Sequence, residues 1–198
     1  MNKKSLAVIA LLASLSMVAG ACGGDNTVVN EDAREAEEEG TNTYDENDVT
    51  FDYPEEWDEF SADASAMSTG SNELWDTTVG PDETNLVNIT AYKLNIEVTE
   101  DNIADIEGEL NGVIQQVVSQ AGGEVAGGPT QTTLAGFPAY EYEWAGVEVD
   151  GEEKDSRAVF LFDGDTEYFL NCQYSADAEE EILNGCELIL ESFESSGA

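Results

Sequence analysis

The side chains able to do chemistry in this chain are of few kinds. Of its 198 residues, 44 are acidic, six are basic and none is histidine. The chain therefore lacks the commonest general base, the commonest zinc ligand and the one side chain that titrates unaided near neutral pH. No G-x-S-x-G nucleophile turn and no H-E-x-x-H pair occurs. That leaves the carboxylates. Two of them at a set separation can hydrolyse a glycosidic bond, but acids are spread along the whole sequence and no particular pair stands out. Asp163, Asp165 and Glu167 alternate like calcium ligands, yet their segment lacks the spacing and length of a calcium loop. Asp163-Gly164 between apolar runs reads instead as a hairpin turn. No metal or cofactor site is expected.

Two other kinds of residue remain. Cys22 stands close behind an apolar run, and Cys172 and Cys186 lie near the C-terminus. With Cys22 set aside, only one intramolecular disulfide is possible, between Cys172 and Cys186. Tyr140, Tyr142 and Trp144 share one face of a strand, with Glu141 and Glu143 on the other. Two readings of these rings are open. They are core beneath a helix, as large apolar side chains mostly are, or they form an aromatic strip at a cleft, joined by Trp57 or Trp75, that suits an apolar ligand or a partner protein.

The elements that position these residues begin with a leader. Lys3 and Lys4 precede an apolar run from Leu6 to Val18, which is too short to remain as a membrane span. It ends in Leu15-Ser16-Met17-Val18-Ala19-Gly20-Ala21-Cys22-Gly23-Gly24. The Ala19-Gly20-Ala21-Cys22 end resembles the lipobox of bacterial lipoproteins, which are cut just before a cysteine that carries lipid. The family pattern usually places leucine where Ala19 stands. Ordinary secretion with cleavage after Ala21 is the alternative, since small residues also fit that rule. The resemblance implies residues 1–21 as signal peptide, Cys22 as the lipidated residue and the outer face of a bacterial cell membrane as the location. Export also permits the disulfide.

Beyond the leader, four bases (Arg34, Lys93, Lys154 and Arg157) face 44 acids. Such a chain repels nucleic acid and anionic headgroups, so no nucleic-acid partner is expected. Residues 22–47, with the run Glu31 to Glu39, read as an acidic disordered tether. The folded domain is expected over 48–195. Val49, Phe51 and Tyr53 alternate in a strand that Pro54 ends, with Trp57 and Phe60 as a satellite cluster. Residues 61–72 read as a loop. Leu74–Val79 and Asn85–Leu94 are strands, the second apolar on both faces and so covered on both. Ile103, Ile106, Leu110, Val113, Ile114, Val117 and Val118 make one helical stripe, capped by Thr99 or Asp101, with Gly108 and Gly112 inside it for close approach to the sheet. Strands follow over 124–135, 137–150, 157–162 and 167–174. A last helix carries Ile182, Leu183, Cys186, Ile189, Leu190 and Phe193 on one face, capped by Ser175 or Asp177. A Cys172–Cys186 bridge would pin that helix to the strand it leaves, worth about 3 kcal/mol for so short a loop.

The pattern is that of an α+β fold, an antiparallel sheet layered with helices as an α/β/α sandwich. Phe51-Asp52-Tyr53-Pro54-Glu55-Glu56-Trp57, Leu134-Ala135-Gly136-Phe137-Pro138-Ala139-Tyr140, the Asp163-Gly164 turn before Tyr168 and the closing Ile189-Leu190-Glu191-Ser192-Phe193 resemble PsbP-like domains, including the LpqN-type lipoproteins of actinobacteria. The resemblance implies the same sandwich, no catalytic residues and a role in binding. Known members of the wider fold include a photosystem II extrinsic subunit, a nuclear-transport factor that binds a small GTPase, and envelope lipoproteins. The expected function is a non-enzymatic, membrane-anchored lipoprotein that binds a partner protein or an apolar small molecule. The alternative is an envelope hydrolase using a carboxylate pair.

The spread of the acids points to a hypersaline or alkaline habitat, where charges are screened within about 3 Å at 1 M salt. Self-repulsion should then relax as salt is added. The melting temperature is expected to rise between dilute buffer and molar sodium chloride. A flat melting curve across that range would detach the acidity from habitat.

Overall fold

The computed structural model describes residues 40–60, 72–149 and 151–196. The leader, Cys22, the tether before residue 40 and the loop expected over 61–72, except Asn72, lie outside the described residues. The strands are β1 (Thr41–Glu46), β2 (Val49–Pro54), β3 (Asp58–Phe60), β4 (Glu73–Gly80), β5 (Leu86–Val98), β6 (Glu124–Leu134), β7 (Phe137–Val149), β8 (Glu152–Tyr174) and β9 (Glu194–Ser195). The helices are α1 (Glu107–Gln120), entered through a 3-10 turn at Ile103–Asp105, and α2 (Glu179–Ser192). Two sheets result, one ordered β1-β2-β9 and one ordered β3-β4-β5-β8-β7-β6. Every pairing between these elements is antiparallel.

The extended run β8 sits at the centre of the larger sheet. Fully straight, its 23 residues would span about 75 Å. Instead both ends meet at Thr84: Lys154 Nζ lies 3.2 Å from Thr84 Oγ1, and Gln173 Nε2 donates to the Thr84 carbonyl at 2.9 Å. Phe160 and Phe169 stack with centroids 4.8 Å apart. The run therefore folds back on itself near Gly164, whose φ is +60°, as Asp163-Gly164 predicts. Its first arm pairs with β7 from Leu161 to Glu152, and its second pairs with β5 from Gly164 to Gln173.

Alternation on these arms makes two cores. On one face Tyr140, Tyr142, Trp144, Ala158, Phe160, Phe162 and Phe169 lie under the stripe Ile103, Ile106, Leu110, Ile114 and Val118 of α1 and its entry turn. On the other, Val79, Val87, Ile89, Val159, Leu161 and Leu170 meet Ile182, Ile189 and Phe193 of the α2 segment and Val49, Phe51 and Tyr53 of β2. The layers are thus helix, sheet, then helix beside a small sheet. Arg157 ties β8 to both neighbours, 3.2 Å from Glu141 on β7 and 2.8 Å from Glu187 on α2. Cys172 and Cys186 form a buried disulfide with Cα atoms 6.1 Å apart.

Several expectations change in detail. Ordered structure starts before the boundary placed at residue 48, because β1 pairs Thr41–Glu46 with β2 through a turn at Asn47 and Asp48. Those two residues hold φ of +56° and +63°, a conformation that Asn and Asp tolerate best among residues with a Cβ. The alternation of Thr41 to Glu46 is visible only once Tyr44 is seen buried against Phe51. Trp57 is no satellite but core: its indole packs on Gly185 of α2, and no other residue type leaves that space. Neither helix has the expected side-chain cap. Ala178 stands at the N-terminus of α2, and ahead of α1 the Asn102 carboxamide accepts from the Thr99 N–H at 2.7 Å. Gly108 and Gly112 point away from the sheet, with nothing within 4 Å of a Cβ placed there.

The three helical glycines are therefore expected to respond with opposite sign. Gly108→Ala and Gly112→Ala should each stabilise the domain by about 0.5–1 kcal/mol through helix propensity. Gly185→Ala should destabilise it by about 1–3 kcal/mol, because the Trp57 ring must move. Denaturant unfolding of the three variants checks this; a stabilising Gly185→Ala would refute the Trp57 contact.

Candidate functional site

The aromatic strip singled out in the sequence is covered. Tyr140 and Tyr142 are fully enclosed and Trp144 is buried beneath α1. Tyr142 meets Phe160 edge-on at 5.8 Å, and Trp144 lies 6.4 Å from Phe169. The Tyr140 hydroxyl donates to Glu107 at 3.2 Å, and burial followed by the Glu107 charge pushes its pKa up to about 12. The rings are core because α1 lays an apolar stripe over the one face on which they all stand. Trp57 and Trp75 do not join them, being on the opposite side of the sheet.

An opening with a half-buried tryptophan lies instead at the end of the sandwich where the β1–β2 turn, the start of β4, the middle of β5, the bend of β8 and β9 converge. It is an open cleft of about 600 Å³. Its floor is the half-buried Trp75, backed by the buried Tyr168 with ring centroids 6.1 Å apart. Leu74 forms its lip and is 54% exposed, the one large apolar side chain so exposed among the described residues. A bulge puts it there: Glu73 pairs with Tyr92 and Trp75 with Ala91, so Leu74 is the extra residue. Bulges re-aim side chains in this way and are frequent beside binding sites.

The polar edge of the cleft is Asn47, Asp48, Lys93, Asp163, Thr166, Ser195 and Ser196. Lys93 is its one cation among the described residues, bound to Asp165 at 2.6 Å. The Tyr168 hydroxyl sits 3.0 Å from Ser195 Oγ, and its pKa is raised first by burial and then by the charges of Asp163 and Asp48. Both carboxylates line the cleft together with Tyr168. A second recess of about 400 Å³ shares Asn47, Asp48, Ser195 and Ser196 and adds Asp45, Glu46, Thr50 and Glu194.

The opposite face of the same strands carries a different set of acids. Tyr92 of β5 pairs with Glu73 on one side and Glu167 on the other. Glu167 is 1% exposed and neither of its oxygens has a hydrogen-bond partner. Desolvation pushes its pKa up to about 8, so the carboxyl is protonated at neutral pH. Burial and then the Glu73 charge push the Tyr92 phenol to about 12. Burial also raises Asp76, whose Oδ2 is buried without a partner. Neither described cleft opens onto Glu167 or Asp76. Asp163, Asp165 and Glu167 do not converge as metal ligands: Asp165 is held by Lys93, and alternation sends Glu167 through the sheet away from Tyr168. No group of three or more ligating side chains able to hold a metal occurs among the described residues.

Sequence reasoning missed the cleft because four of its parts are turn or bulge residues with no pattern of their own. The signal present was Leu74 beside Trp75, two large apolar neighbours in one strand, of which alternation can bury only one per face.

A two-core sandwich with an open cleft at one end defines a small α+β domain. The chain belongs to the PsbP-like protein family, whose pattern it matches over residues 6–195. No curated protein matches the chain. Among solved structures, cyanobacterial PsbP (CyanoP) from Synechocystis superposes with a TM-score of 0.55 at 11% identity, over 83% of this chain and 98% of the other. That likeness shows the fold. LpqN of Mycobacterium tuberculosis, described as involved in cell envelope biogenesis, gives a TM-score of 0.46 at 15% identity, over 80% of this chain and 86% of its own. A Bacteroides thetaiotaomicron protein gives 0.48 at 14%, over 75% of this chain and 45% of the other.

The state of Glu167 has a measurable consequence. Its folded pKa of about 8 lies above the unfolded value of about 4.3. Its contribution is present in full below the unfolded pKa and is lost as pH rises toward 8, because only the unfolded chain releases the proton in that window. The expected slope is up to about 1.4 kcal/mol per pH unit. Glu167→Gln should leave stability near pH 4 almost unchanged and raise it at pH 8. Equal stability of variant and wild type at pH 8 would show that Glu167 is ionised or hydrated in the fold.

Proposed function

We propose that this chain is an extracytoplasmic lipoprotein, held on the cell membrane through lipid on Cys22, whose domain acts by binding rather than catalysis. The observation that carries the binding role is the open cleft floored by Trp75 and Tyr168 with Leu74 turned out at its lip. A large apolar side chain displaced to the surface by a bulge, next to a half-buried indole, suits a protein or ligand contact. The cleft's carboxylates, Asp48 and Asp163, lie along its edge, and its lysine, Lys93, is paired with Asp165 beside it. The strongly perturbed Glu167 is turned away from it, so the acid–base pair that a hydrolase requires does not coincide with the accessible surface.

Attachment rests on the sequence. The run from Leu6 to Val18 and the small residues before Cys22 fit export and lipidation, and the family match reaches back into that run. No helix of the described residues is long and apolar enough to cross a membrane. An acidic tether would repel itself and hold the domain off the surface.

Two measurements test the reading. In cells grown with a fatty-acid analogue the chain should take up label, and Cys22→Ser should lose it; a variant that labels like wild type would refute the anchor. A photo-crosslinking residue at position 74 should form adducts with envelope components, whereas one at position 180, on α2 and remote from the cleft, should not. Equal adducts at both positions would remove the cleft as the binding surface.

A further inference from the structure

The charges around the cleft narrow the kind of partner it takes. Its apolar floor is edged by Asp48 and Asp163, while Lys93, its one cation among the described residues, is already paired with Asp165. The second recess begins across the ridge formed by Asn47, Asp48, Ser195 and Ser196 and is edged by Asp45, Glu46 and Glu194. The first recess is apolar and anionic, the second polar and anionic, and the two adjoin through these four shared residues. A single small cation would fill only part of them. An extended chain crossing the ridge would use both, with successive side chains of different chemistry. Aromatic faces also attract guanidinium and ammonium groups, more strongly when partly desolvated.

We propose that the cleft and the adjoining recess together take one extended basic segment of a partner protein, with an apolar side chain seated on Trp75 and Tyr168 beside Leu74 and arginine or lysine side chains along Asp48, Asp163 and Glu194. This rests on the binding role given above and names its partner's chemistry. β9, which supplies Glu194 and Ser195 to the recesses, is the edge strand of the small sheet and only two residues long, so a chain can enter from the side. The geometry demands both halves of the motif: the apolar anchor supplies burial, and the cations supply register along the acids.

Because the whole chain is acidic, any basic peptide will be drawn to it, and the test must separate a site from general attraction. The probe is an acetylated octapeptide with one leucine followed by three arginines, in full-length protein at physiological ionic strength. Trp75 reports on it, since Trp57 and Trp144 are both buried. The peptide is expected to shift the tryptophan emission and saturate. Asp48→Asn with Asp163→Asn should weaken binding about tenfold or more, and Asn at position 48 preserves the turn. Glu180→Gln with Glu181→Gln removes the same charge at the far end of the domain and should change the affinity less than about twofold. Replacing the probe's leucine by glycine should also weaken it. Equal losses from the two double variants, or indifference to the leucine, would overturn the proposal. If the probe fails while position 74 still crosslinks to envelope components, the cleft binds something of other chemistry and only this inference falls. If neither occurs, the binding role falls with it.

Discussion

The domain depends on one constraint: the folded-back β8 is apolar on both faces. Phe160, Phe162 and Phe169 point one way, and Val159, Leu161 and Leu170 the other. A sheet centred on such a hairpin cannot leave either side to water. Burying each of these side chains is worth about 1.5–3 kcal/mol, so both covers are obligatory. The α1 stripe supplies one. The other needs more than a single helix can span, and α2 shares that face with β1, β2 and β9. The small sheet is therefore not an appendage but half of the second cover. It is fixed by Tyr44 stacking on Phe51 at 4.7 Å and by Phe51 against Phe193 at 6.4 Å.

That division of labour creates the cleft. The second cover is built of two pieces, and its pieces meet the sheet at the end where β8 bends. There Trp75 is only half-buried beside the buried Tyr168, and the bulge in β4 turns Leu74 outward. A single helix across the whole face would have closed the gap. The disulfide between Cys172 and Cys186 and the Arg157 bridge to Glu187 fasten the middle of α2 to the sheet, and Phe193 just past its end packs on Tyr168 beside the opening.

The acids follow the same geometry. Most of the described acids sit on the surface, where water and salt screen them. Glu167 is the one fully buried among them, carried to the α1 face by strict alternation one residue before Tyr168 reaches the cleft. A carboxyl without partners in that position stays neutral at a cost, and Tyr92 between Glu73 and Glu167 shares in it. The accessible surface and the perturbed acids are thus separated by the thickness of one sheet.

The sequence by itself determined the class of fold, the two helical stripes, the β8 turn and the disulfide, because each is written in local periodicity or in a count of cysteines. It also carried the family: the Phe51 to Trp57 run and the Leu134 to Tyr140 run lie where β2 and the β6–β7 turn form. Tertiary structure alone decided the rest. Whether Tyr140, Tyr142 and Trp144 are core or surface depends on what lies over them, and alternation gives a face without saying which cover it meets. Trp57 became core only through the space left by Gly185, 128 residues further along the chain. The cleft is assembled from Asn47 and Asp48, Leu74 and Trp75, Lys93, Tyr168 and Ser195. These residues are distant in sequence and individually unremarkable, and a shared opening between two covers is a property of their packing that no local pattern encodes.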